Sequence, residues 1–194
     1  MNKTICLIQG HPHRDASHFC HALADAYAGG ATTAGFNVKR LALAEMDIPF
    51  LRNPKDFPEP PPPDILNAQK AVKAADHLCI VYPLWLGAMP ALVKAFFEQL
   101  ARNDFAIAAP ENGGWPRKML KGKSARVVVT MGMPSVAYKA FFGAHGVKSF
   151  ERSILGISGF KPVRDTLIGG VGELSEKQSA RWFERMRAYG EKGS

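Results

Sequence analysis

The sequence of 194 residues has a formal net charge of +8 at pH 7, and 46% of its residues are hydrophobic. This composition supports a packed core, and the absence of an apolar run of about 18 residues predicts no membrane insertion. The positive charge comes without a recognition motif or interleaved stacking aromatics, so no nucleic-acid partner is predicted.

The first residues and the cysteines indicate the cellular compartment of the protein. The apolar stretch at 5–8 is too short for the core of a signal peptide. Cys6, Cys20 and Cys79 form no C-x-x-C pair, and we interpret them as reduced core thiols. Both features predict a cytoplasmic protein.

Five apolar segments rich in β-branched residues alternate with helical patterns along the chain. Strands are predicted at 4–9, 36–41, 78–82, 125–130 and 163–168. Helices are predicted at 17–34, at 64–75, from Pro90 onwards, at 147–155 and at 175–189. Asp15 or Ser17 is expected to cap the first helix and Asp64 the second. The segments 43–63, which ends in consecutive prolines, and 103–122 are predicted loop excursions.

This alternation predicts an α/β fold with a parallel sheet covered on both faces. Five strands with this spacing favour a doubly wound, flavodoxin-like sheet in the order 2-1-3-4-5, built as a single domain over 1–194. In such a sheet, ligands bind at the carboxyl ends of the strands near the point where the strand order reverses. The loops after strands one, three and four are therefore the candidate site.

The loop after strand one leads into a helix N-terminus, where free backbone amides favour an anion. His11, Arg14 and Ser17 add donors, so a phosphate would fit. Neither G-x-G-x-x-G nor G-x-x-x-x-G-K-(S/T) is present, and no C-x5-R loop is found.

A metal site is the alternative interpretation of this loop. Four histidines lie close together in this part of the sequence: His11, His13, His18 and His21. No carboxylate or thiolate completes a tetrahedral set at a plausible spacing, so no metal is predicted.

The other two loops are chemically unusual as well. Residues 82–90 are bulky, apolar and rigid, and they could lie flat against an aromatic ring system or simply pack as an ordinary loop. Thr130 and Gly132 in the third loop allow close backbone approach. Tyr138 and His145 follow and could supply protons, although a tyrosine with one polar tip is more often structural.

Together these loops resemble the NAD(P)H:quinone oxidoreductase family of DT-diaphorase-like flavoproteins. The most specific match is residues 82–94, YPLWLGAMPALVK, which are similar to the family's aromatic-P-L-x(5)-P-A-x-x-K signature. The segment from His11-Pro12 through Ser17 looks like the family's phosphate-binding segment, and 130–138 looks like its T-(T/S)-G-G-x(4)-Y segment. The resemblance covers nearly the whole chain in the same order.

The resemblance implies a bound flavin, FMN or alternatively FAD, with NAD(P)H as co-substrate. The implied cofactor-binding residues are His11, Ser17, His18, Phe19, Pro83, Leu84, Trp85, Leu86, Thr130, Met131, Gly132, Met133 and Tyr138. Tyr138 and His145 are the implied catalytic residues, which would stabilise charge on the reduced flavin or the acceptor.

The implied activity is two-electron reduction of a quinone-like acceptor in a ping-pong scheme. Family members are homodimers with shared active sites, and here the interface would use Phe96, Phe97 and the 103–122 excursion. Met131 and Met133 replace a hydroxyl residue and a glycine of the family pattern. Gly87-Ala88 replace an aromatic-glycine pair, so a more open acceptor pocket is expected.

Two other functions fit the same fold. One is a flavoprotein regulatory subunit of a potassium or other ion efflux system. The other is a one-electron carrier like flavodoxin, although such carriers are usually strongly acidic and this chain carries a net charge of +8.

Overall fold

The computed structural model describes residues 3–110 and 113–194. Its central sheet contains β1 (Thr4–Gln9), β2 (Asn37–Ala42), β3 (His77–Pro83), β4 (Ser124–Thr130) and β5 (Val163–Ile168). All neighbouring pairs are parallel, in the order β2-β1-β3-β4-β5. The predicted α/β class and strand order are therefore confirmed.

Helices connect and cover these strands. They are α1 (Phe19–Thr33), α2 (Pro63–Ala74), α3 (Ala91–Leu100), α4 (Ser135–Phe142), α5 (His145–Ser149) and α6 (Glu176–Lys192). A π-helical stretch, Phe150–Gly156, directly follows α5. No helix in the described part of the chain combines the length and the apolar character needed to cross a bilayer.

Alternate residues of the strands pack on opposite faces of the sheet, as the two-residue period of a strand requires. Ile5 and Leu7 of β1 pack with α1 and α6, whereas Cys6 and Ile8 pack on the side covered by α2 and α3. All three cysteines are buried and free, which confirms their interpretation as core thiols.

The predicted helix caps are wrong. The N-cap of α1 is His18, which makes no side-chain cap, and the Asp15 carboxylate instead accepts the amide of Ser17 at 2.9 Å. Helix α2 already begins at Pro63, because proline's fixed φ suits the first helical position. Asp64 therefore lies inside the first turn, where its carboxylate accepts the amide of Asp47 at 2.9 Å.

The two predicted excursions contain little regular structure. The segment 43–63 includes the short 3-10 turns Leu43–Glu45 and Pro54–Asp56. Within 103–122, Ile107–Ala108 pairs antiparallel with Arg117–Lys118, and residues 111–112 lie outside the described residues.

Close backbone approach shapes the exit of β1. The amide of Gly10 donates to the carbonyl of Val81 at 2.7 Å. A Cβ atom on Gly10 would lie 2.9 Å from Val93 Cγ2 and 3.0 Å from Tyr82 Cβ. Glycine at this position thus brings the loop after β1 against the end of β3.

Candidate functional site

A cavity of about 280 Å³ lies where the carboxyl ends of β1, β3 and β4 meet. The residues that line it come from the loops after these three strands, from the start of α1 and from the turn after β5. They are His11, His18, Phe19, Cys20, Pro83, Leu84, Trp85, Thr130, Met131, Gly132, Val171 and Gly172. The cavity therefore occupies the position where doubly wound sheets bind ligands.

Histidines and free amides form one end of this cavity. The rings of His11 and His18 stack with centroids 3.9 Å apart, and His13 Nδ1 lies 3.0 Å from His18 Nε2. The amides of Phe19 and Cys20 open helix α1 and have no acceptor among the described residues, because the first turn of a helix lacks preceding carbonyls. This end can bind an anion through backbone N–H groups and imidazole donors.

Burial decides the charge of the groups at this end. His11 is buried, and desolvation lowers the pKa of its imidazole. The thiol of Cys20, which lies 3.1 Å from Thr130 Oγ1, has its pKa raised to about 11 by burial and is neutral. Within 3–110 and 113–194, no group of three histidine, cysteine or acidic side chains is arranged to hold a metal ion.

A tight turn over residues 85–88 forms the wall next to the histidines. The amide of Trp85 donates to Ala88 at 2.9 Å, and that of Ala88 donates back at 3.0 Å. Leu86 and Gly87 both have positive φ, 48° and 79°, which is the type I′ geometry. Leucine rarely adopts this conformation, so surrounding contacts must hold the turn in place.

Gly146 supplies one of those contacts. A Cβ atom at this position would lie 2.2 Å from the carbonyl oxygen of Gly87, so the start of α5 presses directly against the turn. Leu86 and Gly87 have amides without an acceptor among the described residues. The turn therefore presents both apolar side chains and free donors.

The loop after β4 supplies further amides. Met131 donates its amide to Ile168 at 2.9 Å and is buried. The amides of Gly132 and Met133 find no acceptor in the part of the chain that the structure describes. Both residues are exposed and lie beside the cavity, so they are available to a ligand.

A second cavity of about 480 Å³ adjoins the first. Leu84, Met131 and Gly132 line both cavities, and the remaining lining residues of the second are Leu86, Gly87, Met133, Tyr138 and Phe142. The two cavities thus form one continuous site, which has an anion-binding end and an apolar end.

Tyr138 lies at the apolar end with its ring fully buried. Its hydroxyl donates to the carbonyl of Gly87 at 2.8 Å. Burial raises the pKa of this phenol, partly offset by the backbone amides of Val147 and Gly146. The hydroxyl is therefore neutral and ties α4 to the turn 85–88.

The structure brings together most of the residues predicted for the site. Twelve of them line the joined cavities: His11, His18, Phe19, Pro83, Leu84, Trp85, Leu86, Thr130, Met131, Gly132, Met133 and Tyr138. Ser17 is exposed in the turn before α1 and lines neither cavity. His145 is also exposed and outside both, with its ring against Gly143.

Some lining residues were not predicted. Phe142 stacks on Tyr138 with ring centroids 6.3 Å apart, and the i, i+4 spacing would have shown it had helix α4 been recognised. Val171 and Gly172 follow β5, an edge strand whose loop carries no distinctive motif. Cys20, predicted as a core thiol, joins the core and also lines the first cavity.

The predicted subunit contact through Phe96 and Phe97 is wrong. Both side chains are buried within the chain, where they pack against each other and Phe97 packs against Phe150. Phe96 has no exposed surface, and Phe97 is only 6% exposed, at the wall of a separate cavity, so neither side chain offers a substantial surface to a partner.

Comparison with known proteins gives partial sequence matches. FMN-dependent NADH:quinone oxidoreductase 1 of Hahella chejuensis is 35% identical over 92 residues, which cover 47% of this chain and 42% of that protein. Ribosyldihydronicotinamide dehydrogenase (quinone) of Mus musculus is 26% identical over 133 residues, covering 64% and 57%. The matched regions of this chain thus span about half the length of these relatives.

Structural similarity extends over the full length. The NAD(P)H:quinone oxidoreductase from Methanothermobacter marburgensis superposes with a TM-score of 0.78 at 21% identity and full coverage of both chains. A family model described by its flavodoxin-like fold, Flavodoxin_2, matches residues 3–190. With the sheet order and the position of the joined cavities, this match shows that the chain belongs to the Flavodoxin_2 family of flavodoxin-like proteins.

Proposed function

We propose that the chain is an FMN-dependent NAD(P)H oxidoreductase that reduces quinones by two electrons. One observation carries this proposal. At both ends of an apolar wall, the joined cavities place backbone amides that have no acceptor among the described residues. Two lie at the start of α1 and four in the loops 85–88 and 131–133. A ligand with an anionic tail and a flat ring rich in acceptor atoms matches that distribution.

The residues at the anion-binding end fit a phosphate. The amides of Phe19 and Cys20 and the imidazoles of His11 and His18 would hold it. Among the described residues that line either cavity, none is acidic, so no carboxylate opposes the negative charge. Ser17 is exposed directly before His18 and is not among the lining residues.

The residues at the other end fit an isoalloxazine ring. Leu84 and Trp85 would pack on it, and the amides of Gly132 and Met133 would donate to its oxygens and stabilise negative charge there. When bound, the flavin supplies the redox chemistry, accepting a hydride and passing on two electrons. The protein's part is to orient the ring, exclude water and supply these donors.

The apolar cavity beside the proposed ring position supports a ping-pong order. Leu86, Met133 and Phe142 leave one space of about 480 Å³ beside the ring position, so NAD(P)H and the acceptor would occupy it in turn.

FMN and NADH are favoured over FAD and NADPH because the Hahella chejuensis relative is named for them. We also propose a cytoplasmic location, since the three free cysteines suit a reducing compartment.

Steady-state kinetics test the activity. Purified protein loaded with FMN should oxidise NADH with 2-methyl-1,4-naphthoquinone as acceptor, and double-reciprocal plots at several quinone concentrations should be parallel. Protein stripped of flavin serves as the control and should be inactive. Intersecting lines would contradict the ping-pong order, and absence of NADH oxidation by the FMN-loaded protein would contradict the proposed function.

A further inference from the structure

Four histidines converge at the anion-binding end of the first cavity. The ring of His18 stacks on that of His11, with centroids 3.9 Å apart, and meets that of His13 edge-on, with centroids 5.1 Å apart. The ring centroid of His21, one turn further along α1, lies 5.5 Å from that of His11. Imidazoles this close repel one another when they are protonated. The pKa of His11 is accordingly lowered, first by burial and further by these three neighbours.

Backbone contacts fix the neutral forms of His11 and His21. The amide of His13 donates to His11 Nδ1 at 3.1 Å, so neutral His11 carries its proton on Nε2. His21 Nε2 donates to the carbonyl of His13 at 3.0 Å, because a carbonyl can only accept. Nδ1 of neutral His21 therefore has no proton, and it lies 3.4 Å from the side-chain amide of Gln9. Both rings are thus hydrogen-bonded as neutral imidazoles.

His13 and His18 differ, because they are hydrogen-bonded to each other. His13 Nδ1 lies 3.0 Å from His18 Nε2, so one proton must occupy this contact. The neutral pair has a second proton for two remaining nitrogens, His13 Nε2 and His18 Nδ1, which have no partner among the described residues. A third proton would make donors of both and give the pair one positive charge. Water can solvate that charge, because His13 is exposed and His18 is half-buried.

Two carboxylates lie on the same loop and helix as the pair. The pKa of Asp15 is lowered, first by its hydrogen bonds from Ser17 and then by the two histidines of the pair. The side chain of Asp15 is exposed, so solvent screens its attraction for a protonated histidine. Asp25, further along α1, is paired with Arg40. Neither carboxylate is therefore a strong counter-charge for a third proton.

The surrounding segments add little charge within the described residues. Arg14 donates to a backbone carbonyl in the loop after β2 at 2.9 Å, next to the exposed Glu45. The loops 84–90 and 131–134 contain no charged residue. Glu173, in the turn after β5, lines a separate groove. A phosphate dianion in the cavity would thus be the strongest negative charge facing the pair.

We propose that the His13–His18 pair takes up one proton from solvent when the phosphate of FMN binds, so that the affinity for FMN falls as the pH rises above neutral. This inference rests on the proposed function. A dianion favours the charged form of a nearby histidine. In return, the protonated pair attracts the phosphate more strongly than the neutral pair does. The pair therefore makes the cavity prefer a flavin with a terminal phosphate, and it does so most strongly near neutral pH.

Proton uptake fixes the direction of the pH dependence. If the complex holds one proton more than the free protein, the affinity falls up to about tenfold for each unit rise in pH. The phosphate loses its second proton at about pH 6, so it stays a dianion above neutral pH and cannot cause the decline. Riboflavin has the same ring without the phosphate, so its affinity should not follow this decline.

Titration of flavin-free protein with FMN and with riboflavin tests the coupling. Flavin fluorescence at constant ionic strength gives both dissociation constants. We expect the preference for FMN over riboflavin to fall by about five- to thirtyfold between about pH 7 and about pH 8.5. A preference that stays constant over this range would overturn the inference.

Calorimetry counts the protons directly. Binding enthalpies measured at one pH in HEPES and in Tris, which differ in ionisation enthalpy, give the number of protons taken up. At about pH 7.5 we expect about one half to one proton for each FMN bound and close to none for riboflavin. Equal uptake with the two flavins would contradict a coupling through the phosphate.

Glutamine variants locate the proton. The double variant His13→Gln/His18→Gln replaces the pair by amides that cannot be protonated, so uptake should fall close to zero. Its affinity for riboflavin should stay near that of wild type, which shows that the ring position is intact. His145→Gln is the matched control and should keep the uptake, because His145 is exposed and lines neither cavity. Full proton uptake in the double variant would overturn the assignment to this pair.

The same titrations separate a failure of the coupling from a failure of the proposed function. If the protein binds neither flavin at either pH, the proposed function fails and this inference fails with it. If FMN binds with equal affinity at both pH values and without proton uptake, only the inference fails.

Discussion

The contacts of Tyr138 bear on whether it has a positioning role or a catalytic one. Its hydroxyl donates to the carbonyl of Gly87 at 2.8 Å, and its ring is fully buried against Phe142. To act on a substrate oxygen, the hydroxyl would have to leave that carbonyl. The contact supports a positioning role, in which Tyr138 holds the 85–88 turn beside the cavity, and its catalytic role stays a prediction.

Tyr138→Phe separates these roles. Loss of one neutral hydrogen bond should lower the free energy of unfolding by about 0.5–1.5 kcal/mol, and we expect kcat for a benzoquinone to change little. A donor to developing charge would instead lower kcat by about ten- to a hundredfold. Thermal unfolding and stopped-flow flavin reduction on one preparation decide between them. A stable variant with strongly reduced turnover would establish the catalytic role.

His11 should matter for flavin binding rather than for the chemical step. It lines the anion-binding end and is buried, so His11→Ala removes a donor to the proposed phosphate. The expected loss is about 1.5–3 kcal/mol, or roughly ten- to a hundredfold in FMN affinity. Ser17→Ala should have a smaller effect, because Ser17 lies outside the lining.

Fluorescence titration of FMN into flavin-free protein measures both affinities. His145→Ala is the control, since His145 is exposed and lines neither cavity. Wild-type affinity in the His11 variant would remove the histidine end from the cofactor site.

At the scale of elements, α1 and α6 meet through glycines. A Cβ atom on Gly30 would lie 2.1 Å from the carbonyl oxygen of Arg187, and one on Gly190 would lie 2.0 Å from that of Tyr27. The backbones of the two helices therefore touch directly. This close packing explains why both helices contain glycine despite its low helix propensity.

Gly30→Ala should destabilise the protein by about 1–3 kcal/mol, because the helices must separate to admit the methyl group. The neighbouring Gly29 is the matched control, since a Cβ atom there would meet nothing within 4 Å. Gly29→Ala should stabilise the helix by about 0.5–1 kcal/mol. Denaturant unfolding of both variants tests the contact, and a stabilised Gly30 variant would refute it.

The elements also show what the sequence could reveal. Continuous apolar runs such as 78–82 predicted the central strands, because buried parallel strands need apolar side chains on both faces. Helix α4 was missed because only Tyr138 among its residues is buried, while Val136, Phe141 and Phe142 are exposed. Its apolar residues therefore lack the one-sided pattern of an amphipathic helix.

As with the strands and helices, most but not all of the candidate site was predictable from the sequence. Its loops follow from the fold rule that ligands bind at strand carboxyl ends. Twelve of the residues that the family resemblance implies line the cavities. The contact between Gly146 and the 85–88 turn was not predictable, because it depends on tertiary packing of residues far apart in the chain.

For the whole molecule, a buried histidine links stability to pH. His77 begins β3, is almost completely buried, and has its Nδ1 2.7 Å from Ser124 Oγ. Its pKa is lowered to about 3, first by desolvation and then by the cationic Lys3, Arg126 and Arg164. The folded protein therefore keeps His77 neutral where the unfolded chain protonates it.

The sign follows from proton uptake. Between about pH 6.5 and pH 3 the unfolded state binds the extra proton, so the free energy of unfolding should fall as the pH falls, by up to about 1.4 kcal/mol per pH unit from this residue. His77→Gln removes the titrating group and should give a shallower decline. Denaturant unfolding at several pH values measures it, and identical pH profiles would exclude His77 as the cause.

Identification of the flavin released from purified protein shows whether the whole molecule is a flavoprotein. The proposed function predicts a yellow protein that, on denaturation, releases a flavin with the mass of FMN, at one flavin per chain after saturation with FMN. Release of FAD would contradict the assignment of FMN. Failure of the protein to bind any flavin, even after incubation with FMN, would contradict the account of the site.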